Sequence, residues 1–379
     1  MSDTYNKRKP KKYIYFVTGG GTGGHIYPAI AICDALRADE ETKEIYYVGN
    51  PDNLEFEIAQ KLGYKFLPIK VSGMPRKFGF GLIKWVIELH LAIFKAIVYM
   101  HRYKPHAIFG TGGYVSAPAL FAGNLAGVPF MIHDSDAQPG IVSRYIAPSA
   151  ACVSLAFEAA KSHIKSTNIH INGNPIREDF KTLTKPESRT KLGLKNKLTL
   201  CIMGGSQGAK SINSATADIL KTLTVEDDLQ VIFQTGKKNY EKTVEYLKGI
   251  YPEFEQNKNL IVKPYFDDMV TVLKASDIAV SRAGSLSLSE LCACGIASIL
   301  VPYPHAAANH QRINAQYMVK KRAALYLEDA DTTRDTLLIA IEQLVHDENK
   351  LKTIQNNALE LAKLDATQSI LTQLKGIIK

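Results

Sequence analysis

The sequence predicts an α/β protein built from two doubly wound, Rossmann-like domains, and three observations predict it. At 379 residues the chain is longer than one ordinary hydrophobic core serves, so about two domains are expected. Short β-rich runs alternate with helical patterns, the signature of βαβ units and parallel sheets. The halves also share a plan, since each opens with a strand, a glycine-rich turn and a helix. The turns are Gly19-Gly20-Gly21-Thr22-Gly23-Gly24-His25 and Gly204-Gly205-Ser206-Gln207-Gly208-Ala209.

In the first half, strands are predicted at Tyr13–Val17, Ile45–Val48, Ala107–Phe109 and Phe130–His133. A second series is predicted at Leu198–Met203, Gln230–Gln234, Leu260–Val262, Ile278–Ser281 and Ser298–Val301. Between them lie the turn-forming Asn172-Gly173-Asn174-Pro175 and the charged stretch 177–197, which puts the domain boundary near Pro175. The expected domains are 1–175 and 176–359. The stretch 342–379 has helical periodicity, and its last part, about 360–379, is expected to cross back onto the first domain. Doubly wound sheets bind ligands beyond the carboxyl ends of their strands, so the expected site is a cleft faced by both domains.

Lys and Arg outnumber Asp and Glu by 46 to 37, a net charge of +9. That excess favours anionic partners: nucleotide phosphates, an acidic membrane surface or nucleic acid. Cys33, Cys152, Cys201, Cys292 and Cys294 are odd in number and lack CxxC spacing, which predicts free, buried thiols in a reducing cytosol and no zinc site. The basic start, with Lys7, Arg8, Lys9, Lys11 and Lys12, precedes an apolar run too short for a signal peptide. The longest apolar stretch, Leu82–Met100, is interrupted by Lys84, Glu88, His90 and Lys95, which argues against a spanning helix. A soluble or peripheral protein is expected.

Gly19-x-Gly21-x-x-Gly24 satisfies the dinucleotide fingerprint. However, the second strand ends in Gly49-Asn50 and lacks the acid that holds an NAD ribose, so an oxidoreductase ranks last. What remains is a loop with backbone N–H groups at a helix N-terminus, suited to phosphate or pyrophosphate; the plainer alternative is a turn that only permits close packing. Gly110-Thr111-Gly112-Gly113-Tyr114 follows another strand. The two loops, through Gly21, Gly112, Gly113 and Tyr114, are expected to line one anionic pocket fitted to a lipid diphosphate. His25 follows the first loop and is the candidate general base, because imidazole ionises near neutrality. Its alternative is a histidine that only binds phosphate or loop backbone, with Asp136 the next candidate base.

In the second half, Ser281-Arg282-Ala283-Gly284-Ser285-Leu286-Ser287-Leu288-Ser289-Glu290 reads as strand, turn and helix start, with Ser285 as the cap. Glu290 can accept from both vicinal hydroxyls of a ribose, or be an ordinary glutamate that the helix dipole favours. His305, Asn309, His310, Gln311 and Asn314 suit a hydroxyl-rich ligand or a capping loop equally. Asp134-Ser135-Asp136 has the form of a DxD metal motif, a weak signal at three residues. On a helical projection of 82–100, Lys84, Glu88, Lys95 and Arg102 share one narrow stripe and the remainder is broadly apolar. Leu82, Ile83, Trp85 and Val86, near Arg76, Lys77, Lys84 and Lys95, are the candidates for insertion into an anionic interface; full burial is the alternative.

Together the segments GGGTGGHIYPAIA, GTGGYVSAP, GNPIR, GGSQGA, YFDDM, SRAGSLSLSE and NHQRINA resemble the MurG family, transferases that add N-acetylglucosamine to lipid I to make lipid II. The resemblance runs from about Tyr13 to the C-terminus. It implies a GT-B fold, an inverting mechanism, no cofactor and no metal. It also implies an acceptor- and membrane-binding first domain and a UDP-sugar-binding second domain. The donor site maps onto Thr22, Gly23, Gly24, Arg177, Ser206, Phe266, Ser285, Leu286, Ser287, Leu288, Ser289, Glu290 and Gln311, with Glu290 the ribose ligand. The partners implied are UDP-N-acetylglucosamine, lipid I, the anionic lipids of the cytoplasmic membrane face, where the protein is peripheral, and cell-wall synthesis or division proteins; nucleic acid is not among them.

One departure stands out. The family carries His-Glu-Gln-Asn where this chain has His133-Asp134-Ser135-Asp136. The family asparagine contacts the donor sugar, whereas Asp136 can accept from a hydroxyl but cannot donate as an amide does. Either that contact has changed or Gln138 supplies it. The competing readings are a GT-B transferase acting on another lipid or a soluble acceptor, and a nucleotide-sugar-binding module without catalysis. The GTGGYVSAP loop and the basic–apolar helix favour the lipid acceptor.

Overall fold

Most strands are short apolar runs that end at a glycine or a polar residue, too short for helices and buried on both sides. That is the pattern of parallel sheets covered by helices. The computed structural model describes residues 12–75, 79–205 and 207–378. The chain divides into two units, Met1–Pro175 with Asp365–Lys379, and Ile176–Leu364.

The first unit contains β1 (Tyr13–Thr18), β2 (Thr42–Gly49), β3 (Lys65–Pro68), β4 (Ala107–Gly110), β5 (Phe130–Asp134), β6 (Cys152–Leu155) and β7 (Ile169–Ile171). They form a seven-stranded sheet in the order β3-β2-β1-β4-β5-β6-β7, parallel throughout. The helices between them are α1 (Gly23–Ala38), α2 (Leu54–Lys61), α3 (Phe80–Tyr103), α4 (Ala117–Ala126) and α5 (Ile141–Ile146). Successive strand residues point to opposite faces, and β1 shows it. Tyr15 and Val17 pack with Ile26, Ile30 and Leu36 of α1, while Phe16 packs on the side of Ala92, Ala96 and Met100 of α3 and Leu120 of α4.

The second unit contains β8 (Thr199–Met203), β9 (Gln230–Gln234), β10 (Leu260–Lys263), β11 (Ile278–Ser281), β12 (Ala297–Leu300) and β13 (Ala324–Tyr326). Its six-stranded sheet has the order β10-β9-β8-β11-β12-β13. Its helices are α6 (Asp179–Thr182), α7 (Lys185–Leu192), α8 (Lys210–Lys221), α9 (Tyr240–Ile250), α10 (Met269–Ala275), α11 (Ser285–Cys294), α12 (His310–Lys320), α13 (Arg334–Val345) and α14 (Glu348–Leu361). One core layer joins Leu200, Ile202, Val231, Phe233, Val280 and Ile299 to apolar residues of α8, α9, α13 and α14. Asp277, just before β11, anchors the other end of the sheet. It accepts from Arg189 Nη2 at 2.6 Å, Lys185 Nζ at 2.6 Å and the Thr199 N–H at 2.8 Å.

The last helix, α15 (Ala366–Gly376), belongs to the first unit. Ile370, Leu371 and Leu374 enter the core layer of α1, Gln373 and Asn172 exchange amide hydrogen bonds of 2.8 and 3.1 Å, and Lys375 pairs with Asp39 and Glu41. The helix expected over about 360–379 therefore begins at Ala366, because α14 continues to Leu361. The strands β3, β6, β7 and β13 were not predicted. They are three or four residues long, too short to show a period, and sheet pairing rather than local pattern defines them.

Breaking a buried ion pair by removing one partner strands the other charge, which costs about 3–5 kcal/mol. The Arg189 and Asp277 side chains are 9% and 13% exposed. Asp277→Ala should therefore lower the urea midpoint of the second unit by that equivalent in equilibrium unfolding, and an unchanged midpoint would contradict the anchoring role.

Candidate active site

Each sheet has a point where the strand order reverses, between β1 and β4 in the first unit and between β8 and β11 in the second. Loops leaving such neighbours diverge to opposite faces and open a crevice at the carboxyl ends of the strands. In the first unit those loops are the two glycine segments. In the second they are Gly204–Ala209 and the turn before α11.

The two loops of the first unit are held together by His25 and Thr111. His25 Nδ1 donates to the Thr111 carbonyl at 2.9 Å, and Thr111 Oγ1 donates to the His25 carbonyl at 2.6 Å. A carbonyl can only accept, so Nδ1 carries the proton of the neutral ring and Nε2 keeps its lone pair. A side chain on Gly113 could not fit between the loops. A Cβ on Gly113 would meet the Gly20 carbonyl oxygen at 2.5 Å, and one on Gly112 would meet the His25 ring at 3.4 Å. Tyr114 lies beside Gly21 and Gly73, and its hydroxyl accepts from Asn53 Nδ2 at 3.1 Å. Thr22 occupies the N-cap of α1 without a side-chain cap bond, so Gly23 and Gly24 open the helix with first-turn N–H groups of the kind that receive anions.

Pro28, inside α1, has no N–H to give to the Gly24 carbonyl. Ser135 Oγ takes its place, donating to that oxygen at 3.2 Å and tying the first loop to the segment after β5. Asp134 is buried there, accepting from the Asp136 and Gly140 N–H groups at 3.2 and 3.1 Å, and burial pushes its carboxyl above the usual range. Asp134 thus shapes its own loop, and Asp136 beside it is half-buried. Among the described residues no group of His, Cys, Asp and Glu is arranged to hold a metal ion. His133 is buried between Ser154 Oγ and Asn174 Oδ1, at 3.0 and 3.1 Å. Burial pushes it down to about 4, so it is a neutral structural link.

Sequence reasoning missed Glu55. Its fully buried carboxylate accepts from the Gly21 N–H at 3.2 Å, the Asn50 N–H at 3.3 Å and Asn53 Nδ2 at 3.2 Å. An acid does follow the second strand, but it lies on α2 and braces the first glycine loop from behind. Tyr47, whose hydroxyl donates to the Gly19 carbonyl at 2.5 Å, braces it from the sheet. The available signal was Glu55 itself, six residues past the strand end where an acid was sought.

In the second unit Glu290 lies on α11, its side chain 15% exposed, with Arg177 Nη2 at 4.0 Å from Oε1. Burial raises its pKa from 4.5 to about 7, against the lowering effect of Arg177. Ser285 does not cap this helix as expected. Gly284 is the N-cap, with no side-chain bond, and Ser285 is the first helical residue, because the extended backbone needed at a cap falls on Gly284. Leu286 and Ser287 are half-buried. Leu288 is 1% exposed and its N–H bonds to the Gly284 carbonyl at 3.0 Å, so it supports the helix and offers nothing to a ligand. Ser289 Oγ donates to the Ser285 carbonyl at 3.1 Å.

Phe266 is buried, and Gln234 sets its backbone by accepting from the Phe266 N–H at 2.9 Å while donating to the Gly205 carbonyl at 3.4 Å. Gln311 accepts from the Tyr303 N–H at 2.9 Å. Ser206 lies outside the described residues.

On α3, Trp85 and Leu82 are half-buried, and the Trp85 indole donates to the Ser72 carbonyl at 3.0 Å. Ile83 and Val86 are exposed, and so is a longer row of Phe80, Ile87, Leu91, Phe94 and Val98. Phe80, Ile83, Ile87, Leu91, Phe94 and Val98 recur at intervals of three and four, one continuous face of the helix. Lys84, Lys95 and Arg102 are exposed on the same helix; Arg76 and Lys77 lie outside the described residues. No helix among the described residues is long and apolar enough to cross a membrane.

The raised pKa of Glu290 is also a statement about stability. The folded carboxyl holds its proton more tightly than the unfolded one, so its contribution is complete below about pH 4.5 and is lost as pH rises through about 7. Glu290→Gln, neutral throughout, should gain stability relative to the parent between pH 5 and pH 8, by up to about 3 kcal/mol. A stability difference that stays flat across that range in denaturant titrations would contradict the burial of this charge.

Comparison with known proteins shows the family and the fold. Residues 15–155 match the model of the glycosyltransferase family 28 N-terminal domain, and residues 199–370 match that of its C-terminal domain. Relatives from Carboxydothermus hydrogenoformans, Halothermothrix orenii and Bacillus subtilis are 34%, 36% and 34% identical, covering 95–96% of this chain and 96–99% of theirs. Each bears the name UDP-N-acetylglucosamine–N-acetylmuramyl-(pentapeptide) pyrophosphoryl-undecaprenol N-acetylglucosamine transferase. The crystal structure of Acinetobacter baumannii MurG matches with a TM-score of 0.78 at 25% identity, covering 96% of this chain and 100% of that one. A UDP co-structure of Staphylococcus aureus MnaA, 12% identical with a TM-score of 0.67 and 96% of both chains covered, shares the fold alone. The chain, with its two Rossmann-like units of GT-B type, belongs to glycosyltransferase family 28 and within it to the MurG family.

Proposed function

We propose that the chain transfers N-acetylglucosamine from UDP-N-acetylglucosamine to lipid I, with inversion, giving lipid II and UDP in peptidoglycan synthesis at the cytoplasmic face of the membrane. The observation that carries this reading is the match, over 95% or more of the chain, to relatives named for that transfer.

The donor half is assigned to the second unit. The carboxylate of Glu290 accepts from the ribose hydroxyls, with Arg177 holding it in place. The uncapped first turn of α11, at Ser285, Leu286 and Ser287, receives the diphosphate through N–H groups that no side chain claims. The buried Phe266 sets the wall beyond Gln234, and Gln311 holds the loop after β12.

The acceptor half is assigned to the first unit. Gly21, Gly112, Gly113 and Tyr114 frame the place for the acceptor diphosphate. The acceptor oxygen forms a bond to the anomeric carbon as the bond from that carbon to UDP breaks, and the acceptor proton passes to His25 Nε2. The hydrogen bond from Nδ1 to Thr111 supports that role, since it leaves Nε2 unprotonated. Asp136 lies on the segment after β5 that Ser135 ties to the first loop, and it is assigned as an acceptor from a sugar hydroxyl. The exposed face of α3, flanked by lysine and arginine, fits an anionic bilayer surface as a peripheral contact.

A transfer assay with labelled UDP-N-acetylglucosamine and lipid I, run beside UDP-glucose, tests the activity. Product with the first donor and little with the second supports the reading, and transfer only to a soluble acceptor overturns it. His25→Ala should lose about 10²–10⁴ in turnover while UDP affinity by calorimetry stays near the parent value. A mutant that suffers only in acceptor KM makes His25 a phosphate ligand instead. Replacing Ile87 and Phe94, both exposed, with Ser should reduce sedimentation with anionic vesicles and leave transfer to a short-chain, water-soluble acceptor intact. Unchanged sedimentation would remove α3 from the membrane contact.

A further inference from the structure

Four segments meet at the carboxyl ends of the strands in the second unit: the start of α8, the turn between β11 and α11, the exit of β12, and the short helical turn Asp329–Asp331. One guanidinium joins them. Arg282, the first residue after β11, donates through Nη1 to the Val301 and Pro302 carbonyls, each at 3.1 Å, and to Asp329 Oδ1 at 2.5 Å. Its Nη2 reaches Ser211 Oγ at 3.5 Å, and the Ser211 hydroxyl donates to the same Asp329 oxygen. The guanidinium also lies over the Tyr303 ring at 5.6 Å, and the backbone of Tyr303 is held by Gln311. Every loop to which the donor site was assigned on this side of the sheet is therefore within reach of the pair, although Asp329 lies outside all the motifs read from the sequence.

The Arg282 side chain is 13% exposed and that of Asp329 22%. A guanidinium withdrawn this far from water needs a counter-charge, and the position of the carboxylate decides where it sits. Asp329 accepts from Ser211 on α8 and from Arg282 at the entry to α11, so it sets the spacing between the N-termini of those two helices. Both helices open without a side-chain cap bond, leaving first-turn N–H groups of the kind that receive anions.

We propose that Asp329 is a positioning residue for the nucleotide diphosphate. Acting through Arg282 and Ser211, it holds the α8 and α11 termini at the separation that a nucleoside diphosphate spans. Asp329 touches no substrate itself. The inference rests on the reading of this unit as the UDP-sugar site.

The test compares the parent chain with Asp329→Ala, Asp329→Glu and Ser211→Ala, measuring UDP affinity by calorimetry, the KM for each substrate, and Tm. Asp329→Ala should weaken UDP binding at least tenfold and raise the KM for UDP-N-acetylglucosamine in parallel, with acceptor KM near the parent value. Asp329→Glu, which keeps the charge, should restore part of the affinity. Ser211→Ala, which removes only one hydroxyl, should fall between parent and Asp329→Ala, and serves in its place if that variant does not fold. Variants that lower Tm but bind UDP as the parent does would overturn the inference, leaving the pair structural. A parent chain that binds neither UDP nor UDP-N-acetylglucosamine would instead overturn the functional reading, and the inference with it.

Discussion

Two loops that diverge from a switch point share no strand and no helix, so something other than sheet hydrogen bonds must fix their separation. In the first unit the reciprocal pair between His25 and Thr111 does this, each side chain bonding the other's carbonyl. Much else in the crevice follows from that pair. It requires glycine at position 113, where a Cβ would meet the Gly20 carbonyl oxygen at 2.5 Å, while the positive φ of 86° favours glycine at 112. It determines which imidazole nitrogen carries the proton, and it places a helix N-terminus beside a second glycine loop.

The second unit meets the same constraint with longer side chains. Gln234 spans from the Gly205 carbonyl to the Phe266 N–H, and Arg282 gathers the loops on the other side of β8. Both units thus keep polar side chains at the carboxyl ends of their strands, in positions where an unmade hydrogen bond would be costly. Glu55 is the extreme case, a fully buried carboxylate with backbone donors on both oxygens. Networks satisfied this completely are stiff, and stiffness suits a site whose donors must already point at developing charge.

How much of this was legible beforehand depended on which interactions set each feature. The strands of the sheet interiors are continuous apolar runs, so β1, β4, β5, β8, β9 and β11 could be read directly. The three-residue edge strands β7 and β13 could not, since pairing defines them. The glycine loops were legible because positive φ, as at Gly21, Gly112 and Gly113, restricts the residue type. Glu55 and Asp329 were not, because each acts on a loop distant in sequence and nothing local distinguishes a bracing carboxylate from a solvated one. On α3 the composition was ambiguous between burial and exposure. The structure divides it, with Ala92, Ala96 and Met100 inward and the row from Phe80 to Val98 outward, so the exposed face is broader than Leu82–Val86 and excludes most of the Trp85 ring.

The proposed transfer depends on Thr111 orienting His25 so that Nε2 can take a proton. Its most direct test is the tautomer of that ring, read from the ¹⁵N shifts and two-bond couplings of histidine-labelled protein at a pH where the ring is neutral. Protonated Nδ1 and a lone pair on Nε2 are expected for His25, with the assignment made by its loss in His25→Ala. A neutral ring protonated on Nε2 would contradict it.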